Sequence, residues 1–102
     1  MGMNMNAIKV SRASPKIRIR ITNNDDDLSL LSLRIARVGE GFEFVKYTPS
    51  QYADEFAEFT FDELLFDRPL GRYQCRLILN GEDRLSFQIQ YVDNVVISVE
   101  GA

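Results

Sequence analysis

Hydrophobic and polar residues alternate with a period of two along most of the chain, and this pattern predicts β-strands. The clearest case is KIRIRIT at 16–22, in which three isoleucines share one face and three basic residues share the other. The segment NNDDD at 23–27 predicts a turn, because short Asn and Asp side chains satisfy neighbouring backbone groups. Residues 28–38 follow as the predicted return strand of a hairpin.

That return strand contains a break in its alternation. Leu28 and Leu30 have one parity, whereas Leu31, Leu33 and Ile35 have the other. A strand with a two-residue period cannot turn all five side chains toward the same core. The pattern therefore predicts either a bulge near Leu30 and Leu31 or a strand that begins only there.

One later segment departs from the strand pattern. Thr48 can cap a helix, Pro49 suits its first position, and Gln51 completes a capping box. We therefore predict one or two helical turns within 49–58, followed by extended or loop structure at 59–66. Further strands are predicted at 42–48, 71–79, 82–92 and 94–100.

The dipeptide Asn80–Gly81 joins two of these strands and is typical of a two-residue hairpin turn. That turn would set Cys75 opposite Ser86, an apolar residue opposite a polar one. A three-residue loop that adds Leu79, with its glycine left-handed, sets Cys75 opposite Leu85, so that both strands bury one consistent face. We therefore predict the three-residue loop.

The strand count and the turn spacing together predict the fold class. About seven short strands, with turn signals every 8 to 12 residues and at most one short helix, are typical of an all-β antiparallel sandwich. A chain of 102 residues has the length of one domain. We predict a flexible N-terminus at 1–6 and a single sandwich domain at 7–102.

Composition excludes several classes of protein. The net charge of −3 disfavours a dedicated nucleic-acid binder, which is usually basic. The sequence contains no run of about 18 apolar residues and no basic-then-apolar leader, so we predict neither a membrane span nor a signal peptide. A single cysteine excludes an internal disulfide.

The stretch LGRYQC at 70–75 resembles the tyrosine corner of immunoglobulin-like sandwiches, in which a tyrosine two residues before the cysteine position bonds to nearby backbone. The resemblance implies a single immunoglobulin-like antiparallel β-sandwich, and it implies that the Tyr73 hydroxyl holds the loop at 66–69. Cys75 would be a small core residue. Since the chain has no tryptophan and no second cysteine, the likeness concerns architecture. The structural residues predicted here are Gly71, Tyr73, Cys75 and Gly81.

A longer stretch, residues 64–91, is similar to small β-domains in tail, neck and baseplate proteins of tailed phages and prophages. In those domains a proline and a Gly-x-Tyr introduce a hairpin with a glycine-containing turn. The resemblance implies a structural adaptor located in the cytoplasm or in a virion.

The sequence offers few candidate catalytic residues. The chain has no histidine, which is the commonest general base and metal ligand. Alternation places Cys75 inward, where its thiol would be inert. The segment 23–27 lacks the glycine and the closing glutamate of a calcium loop. We predict no enzymatic activity, no metal and no cofactor.

Charge is unevenly distributed. Residues 1–37 carry seven basic and three acidic side chains, whereas residues 38–67 carry one basic and eight acidic. Lys16, Arg18 and Arg20 form a basic stripe, which Arg34 joins if residues 31, 33 and 35 point inward. The acidic segment could lie against this basic stripe within one molecule. Alternatively, opposite patches of two copies could meet head to tail, with exposed aromatics supplying affinity. The candidate interaction residues are Lys16, Arg18, Arg20, Arg34, Tyr52, Asp54, Glu55, Phe56, Glu58 and Phe59.

These observations favour a non-enzymatic structural or assembly protein of phage or prophage type that acts by protein–protein contact, including self-association. The alternative is a module that binds a ligand such as carbohydrate through the aromatic and acidic segment 42–66. Neither nucleic acid nor membrane is expected as a partner.

Overall fold

The computed structural model describes residues 7–22 and 26–93, which form a mostly β domain with eight strands in two sheets. The predicted N-terminus at 1–6, residues 23–25 of the predicted turn and the predicted strand at 94–100 lie outside the described residues. The strands are β1 (Ile8–Val10), β2 (Lys16–Arg20), β3 (Leu31–Arg37), β4 (Glu43–Tyr47), β5 (Gln51–Ala53), β6 (Phe56–Thr60), β7 (Gly71–Leu79) and β8 (Glu82–Tyr91). A four-residue helix, α1 (Glu63–Phe66), and a 3-10 turn at Leu28–Leu30 complete the described elements.

The larger sheet has the strand order β1-β8-β7-β3-β4, and the smaller sheet has the order β2-β6-β5. All neighbouring strands are antiparallel except β1 and β8, which run parallel. The all-β class predicted from the sequence is confirmed, and this one pair departs from the predicted antiparallel arrangement. After β1 the chain crosses to the smaller sheet instead of turning back, so no local hairpin sets the relative direction of β1 and β8.

The predicted hairpin between 16–22 and 28–38 is also wrong. β2 pairs with β6 in the smaller sheet, whereas β3 pairs with β4 and β7 in the larger one. The break in the alternation of the leucines marks the point at which the chain, having left β2 of the smaller sheet, enters β3 of the larger sheet. Leu28 is buried in the 3-10 turn, whose first residues are capped by the Asp27 carboxylate, and β3 begins at Leu31, one of the two predicted possibilities.

The helical turns predicted within 49–58 are wrong, because β5 and β6 form a hairpin there. Ala57 and Phe59 on β6 are fully buried, and their two-residue spacing fits a strand that packs on the core. Tertiary packing thus overrides the local capping pattern. The helix lies farther along the chain, where the Asp62 carboxylate accepts a hydrogen bond from the Leu64 amide at 3.0 Å and caps α1.

The β7–β8 hairpin has a two-residue turn, so the predicted three-residue loop is wrong. Asn80 and Gly81 have φ angles of 53° and 80°, and Leu79 pairs with Glu82. A bulge follows, because Ile78 pairs with Asp83 while Leu77 pairs with Leu85, and this leaves one extra residue on β8. The bulge, rather than a loop with an odd number of residues, changes which side chains of β8 face the core. Cys75 consequently lies opposite Phe87.

One hydrophobic core joins the inner faces of the two sheets, an arrangement compatible with a β-sandwich. Cys75 is fully buried and unpaired, as its inward position predicts. Gly71 has a φ of 141°, in the region that favours glycine, at the point where the chain enters β7. The fully buried large side chains include Leu31, Leu33, Ile35, Phe59, Leu65, Tyr73 and Ile89.

Candidate functional site

The backbone hydrogen bonds between β2 and β6 follow a regular antiparallel alternation. The Ile21 amide donates to the Glu55 carbonyl at 2.8 Å, and the Phe61 amide donates to the Pro15 carbonyl at 2.7 Å. In an antiparallel pair, residues that exchange hydrogen bonds alternate with residues that do not. The odd-numbered residues of β2 are therefore the ones that bond to β6.

The even-numbered residues of β2 consequently direct their backbone groups away from the sheet. Ile17 and Ile19 face β6 through their amides and carbonyls, whereas Lys16, Arg18 and Arg20 present theirs outward. Within 7–22 and 26–93, no strand pairs with that side of β2. The β2 edge, defined as Lys16, Arg18 and Arg20, thus has backbone donors and acceptors that pair with no strand in these ranges.

The side chains of the β2 edge share the outer face of the smaller sheet with Glu58 of β6. The Glu58 carboxylate lies 3.8 Å from the Lys16 ammonium and 3.4 Å from the Arg18 guanidinium. Arg18 also lies over the Phe56 ring, 4.4 Å from its centroid. The basic stripe therefore does meet part of the acidic segment within one molecule, although two cations share a single carboxylate.

Arg20 differs from its neighbours on the strand. It is opposite Phe56 in the register, and it forms no ion pair with the part of the chain that the structure describes. The exposed residues Asp54 and Glu55 occupy the turn between β5 and β6, at the same end of the sheet. Positive charge at the β2 edge is thus only partly compensated.

Two residues predicted to join this surface are elsewhere. Phe59 has no exposed surface and is a core residue, so it cannot supply a contact. Arg34 is on β3 in the larger sheet, so it does not extend the stripe. Phe59 is buried because alternate side chains of β6 point toward the core. Arg34 is separate because β2 and β3 belong to different sheets.

Arg34 belongs to a separate ionic cluster on the larger sheet. It is directly opposite Arg76 of β7, and Glu43 of β4 lies between the two guanidinium groups, 3.8 Å from Arg34 and 2.7 Å from Arg76. Because Arg76 donates a hydrogen bond to the carboxylate, the pKa of Glu43 is lowered from its usual value. The cluster is partly exposed and has an evident structural role, since it offsets repulsion between two like charges.

A cleft opens beside the far end of β2, between the two sheets. Its volume is about 280 Å³. Leu85 pairs with Leu77 on the inner face of the larger sheet but remains 43% exposed, because the smaller sheet does not cover it. The other lining residues are Ile19, Arg20, Ile21, Thr22, Leu31, Leu79 and Arg84.

Sequence reasoning missed this cleft. The broken alternation around Arg84, the extra residue of the β8 bulge, is the only related signal in the sequence, and it indicates an irregular strand rather than a cleft. The bulge turns Arg84 toward Asp26, whose carboxylate accepts a hydrogen bond from it at 3.1 Å. Leu85 is thereby left on the inner face at an uncovered position.

The described residues offer little for catalysis. Burial raises the pKa of the Cys75 thiol to about 12, so the thiolate is scarce at neutral pH. No group of three or more acidic or cysteine side chains in 7–22 and 26–93 is arranged to hold a metal ion. None of the helices in these ranges has the length and hydropathy needed to span a bilayer.

Comparisons with known proteins do not assign the chain to a family. No protein-family model matches it, and neither a curated protein nor a solved structure matches it.

Proposed function

We propose that the protein is a non-enzymatic assembly module that binds another protein by accepting an extended segment along the β2 edge. The observation that carries the proposal is the outward direction of the backbone groups of Lys16, Arg18 and Arg20. Addition of a strand to an open sheet edge is a recurrent mode of peptide recognition, in which main-chain hydrogen bonds supply affinity.

The charge on this edge supports a partner of different sequence. If two copies paired antiparallel through β2 with Arg18 at the centre, Arg18 would face Arg18 and Lys16 would face Arg20. Like charges directly opposite each other destabilise strand pairing. Basic side chains on an edge strand therefore hinder association between identical edges and still permit an acidic partner.

The assembly class agrees with the adaptor role implied by the likeness to phage tail, neck and baseplate domains. The comparisons support neither that identification nor an immunoglobulin-like family, and the proposal depends only on the β2 edge.

The carbohydrate alternative has less support. The aromatic side chains exposed by about half or more are Phe42 beside β4 and Tyr52 on β5, in different sheets, so they do not form a continuous stacking platform.

Two measurements on the full chain test the proposal. Amide hydrogen exchange of the free protein, followed by NMR, should show slow exchange at Ile17 and Ile19 and fast exchange at the three residues of the β2 edge. Slow exchange at those three amides in a monomer would mean that the chain covers its own edge, and this would overturn the proposal.

The second measurement uses a photo-crosslinking amino acid at position 18, with position 46 on β4 as the matched exposed control. In the cells that make the protein, crosslinking from position 18 should trap a defined protein that position 46 does not trap. Equal products from both positions, or none from position 18, would contradict a contact at the β2 edge.

A further inference from the structure

We infer that the segment accepted by the β2 edge alternates acidic and apolar residues, and that one apolar side chain of it enters the cleft beside Leu85. The inference rests on the proposed function and adds the chemistry of the partner. It follows from three features that meet at one place: outward backbone groups, positive charge that is only partly compensated, and an uncovered apolar cleft.

The register of an added antiparallel strand is determined by the backbone. Its residues that exchange hydrogen bonds with Lys16, Arg18 and Arg20 lie directly opposite them, and their side chains project from the same outer face. The residues between them lie opposite Ile17 and Ile19 and project toward the inner face. The partner segment therefore presents two different chemistries in strict alternation.

The outer face selects acidic side chains. The carboxylate of Glu58 is already in contact with Lys16 and Arg18. Since the Glu58 side chain is only 14% exposed, little of this carboxylate is left to neutralise further positive charge. Arg20 has no ion pair among the described residues. Opposite charges directly across neighbouring strands strengthen pairing by a factor of roughly 1.5 to 5 each, enough to discriminate between an acidic and a basic segment.

The inner face selects an apolar side chain. A residue of the added strand near Ile19 would project toward the cleft, where Ile21 and Leu85 offer apolar surface. The cleft volume of about 280 Å³ is at or below the lower end of the range for small-molecule sites, roughly 300–1,000 Å³. A single side chain such as Phe or Leu suits this space better than a whole ligand does.

The sequence argues against a second copy as the occupant. No three acidic residues are spaced two apart anywhere in the chain, so no segment of it supplies the alternation that the edge requires. An oligomer that dissociates in salt would contradict this choice of partner.

The test uses the full chain and a capped peptide, Glu-Phe-Glu-Val-Glu, whose Phe lies opposite Ile19 in the antiparallel register, titrated at low salt and followed by NMR. We expect the amides of Arg18 and Arg20 to become slow to exchange, and the methyl groups of Ile19 and Leu85 to shift. Two control peptides isolate the chemistry: Lys-Phe-Lys-Val-Lys reverses the charge, and Glu-Glu-Glu-Val-Phe keeps the composition without the alternation. Both should bind at least fivefold more weakly.

Matched variants locate the contact. Arg20→Glu should weaken binding of the alternating peptide by about fivefold or more, whereas Lys46→Glu, which also removes an exposed cation without a described ion pair, should leave it unchanged. Leu85→Ala should weaken the peptide that contains Phe but not a version with Ala in that place. Since Leu85 is substantially exposed, this variant should fold normally.

The outcomes separate the inference from the proposed function. Binding of the basic or the non-alternating peptide with equal affinity, or shifts confined to another surface, would overturn the inference. If position 18 crosslinks to a protein that lacks an acidic and apolar alternating segment, the proposed function stands and the inference fails. Slow exchange of the edge amides in the free monomer would overturn both.

Discussion

The hydroxyl group of Tyr73 donates a hydrogen bond to the backbone carbonyl of Pro69, four residues earlier in the chain. Tyr91, on the neighbouring strand β8, donates a second hydrogen bond to the Phe66 carbonyl at 2.9 Å. Both tyrosines are buried. Phe66 is the last residue of α1, and Pro69 lies in the short connection between α1 and β7. Two adjacent strands therefore hold the backbone at the end of α1 and in the loop that follows it.

Removal of the Tyr73 hydroxyl should destabilise the protein with little change of shape. Tyr73→Phe keeps the ring, which has 1% exposure, but leaves the Pro69 carbonyl without this donor. We expect a loss of about 1 kcal/mol in the free energy of unfolding, measured by urea denaturation. Tyr52→Phe, on an exposed edge strand, is the control and should stay within about 0.5 kcal/mol of the parent. An unchanged stability for Tyr73→Phe would show that the hydrogen bond is not important.

Cys75 should be inert in the native protein. It is fully buried, and burial raises the pKa of its thiol to about 12. At pH 8 a disulfide reagent should therefore react at a rate limited by unfolding, and quickly once denaturant is added. The measurement is the rate at which the reagent releases its own thiol on reaction with Cys75, as a function of denaturant concentration. Rapid reaction without denaturant would place the thiol at the surface and contradict the core assignment.

The ionic cluster around Glu43 should make stability depend on pH in the acid range. The hydrogen bond from Arg76 lowers the pKa of Glu43 in the folded state, so its contribution is present above the unfolded-state pKa and is lost as the pH falls through the folded-state value. Because the pair is partly exposed, Glu43→Gln should cost less than about 1 kcal/mol at pH 7. The difference from the parent should shrink as the pH falls from the unfolded-state pKa to the folded-state pKa, and it should be absent at lower pH.

The control for this pH experiment is Glu40→Gln, in the adjoining turn, where no ion pair is formed with the residues that the structure describes. Urea denaturation of all three proteins between pH 3 and 7 provides the comparison. A constant difference between parent and Glu43→Gln across that range would refute the linkage.

Periodicity predicted the faces of the strands well and their partners poorly. The inward positions of Ile17, Leu33 and Cys75 follow from alternation alone, because a side chain in a strand can face only two ways. The capping pattern beginning at Thr48 was misleading, since burial of Phe59 in a strand outweighs a local preference for helix. Such competition between local and tertiary preferences cannot be resolved within a short window.

The candidate site shows the same division. The basic residues of the β2 edge were evident in the sequence, but Arg34 was wrongly added because the sheet to which each strand belongs was not known. The cleft required even more information, since it is lined by residues from four strands or the segments next to them. No contiguous pattern reports such a meeting of distant segments.

The amino-acid sequence by itself determined that this is a β-rich chain with one buried thiol, a tyrosine beside a loop, and a strand that is apolar on one side and basic on the other. Only the tertiary structure decided that this strand is at the edge of a three-stranded sheet, with its basic residues directing their backbone groups outward beside an open cleft. The reason is physical: alternation depends on neighbours two residues apart, whereas edges and clefts depend on which distant strands pair.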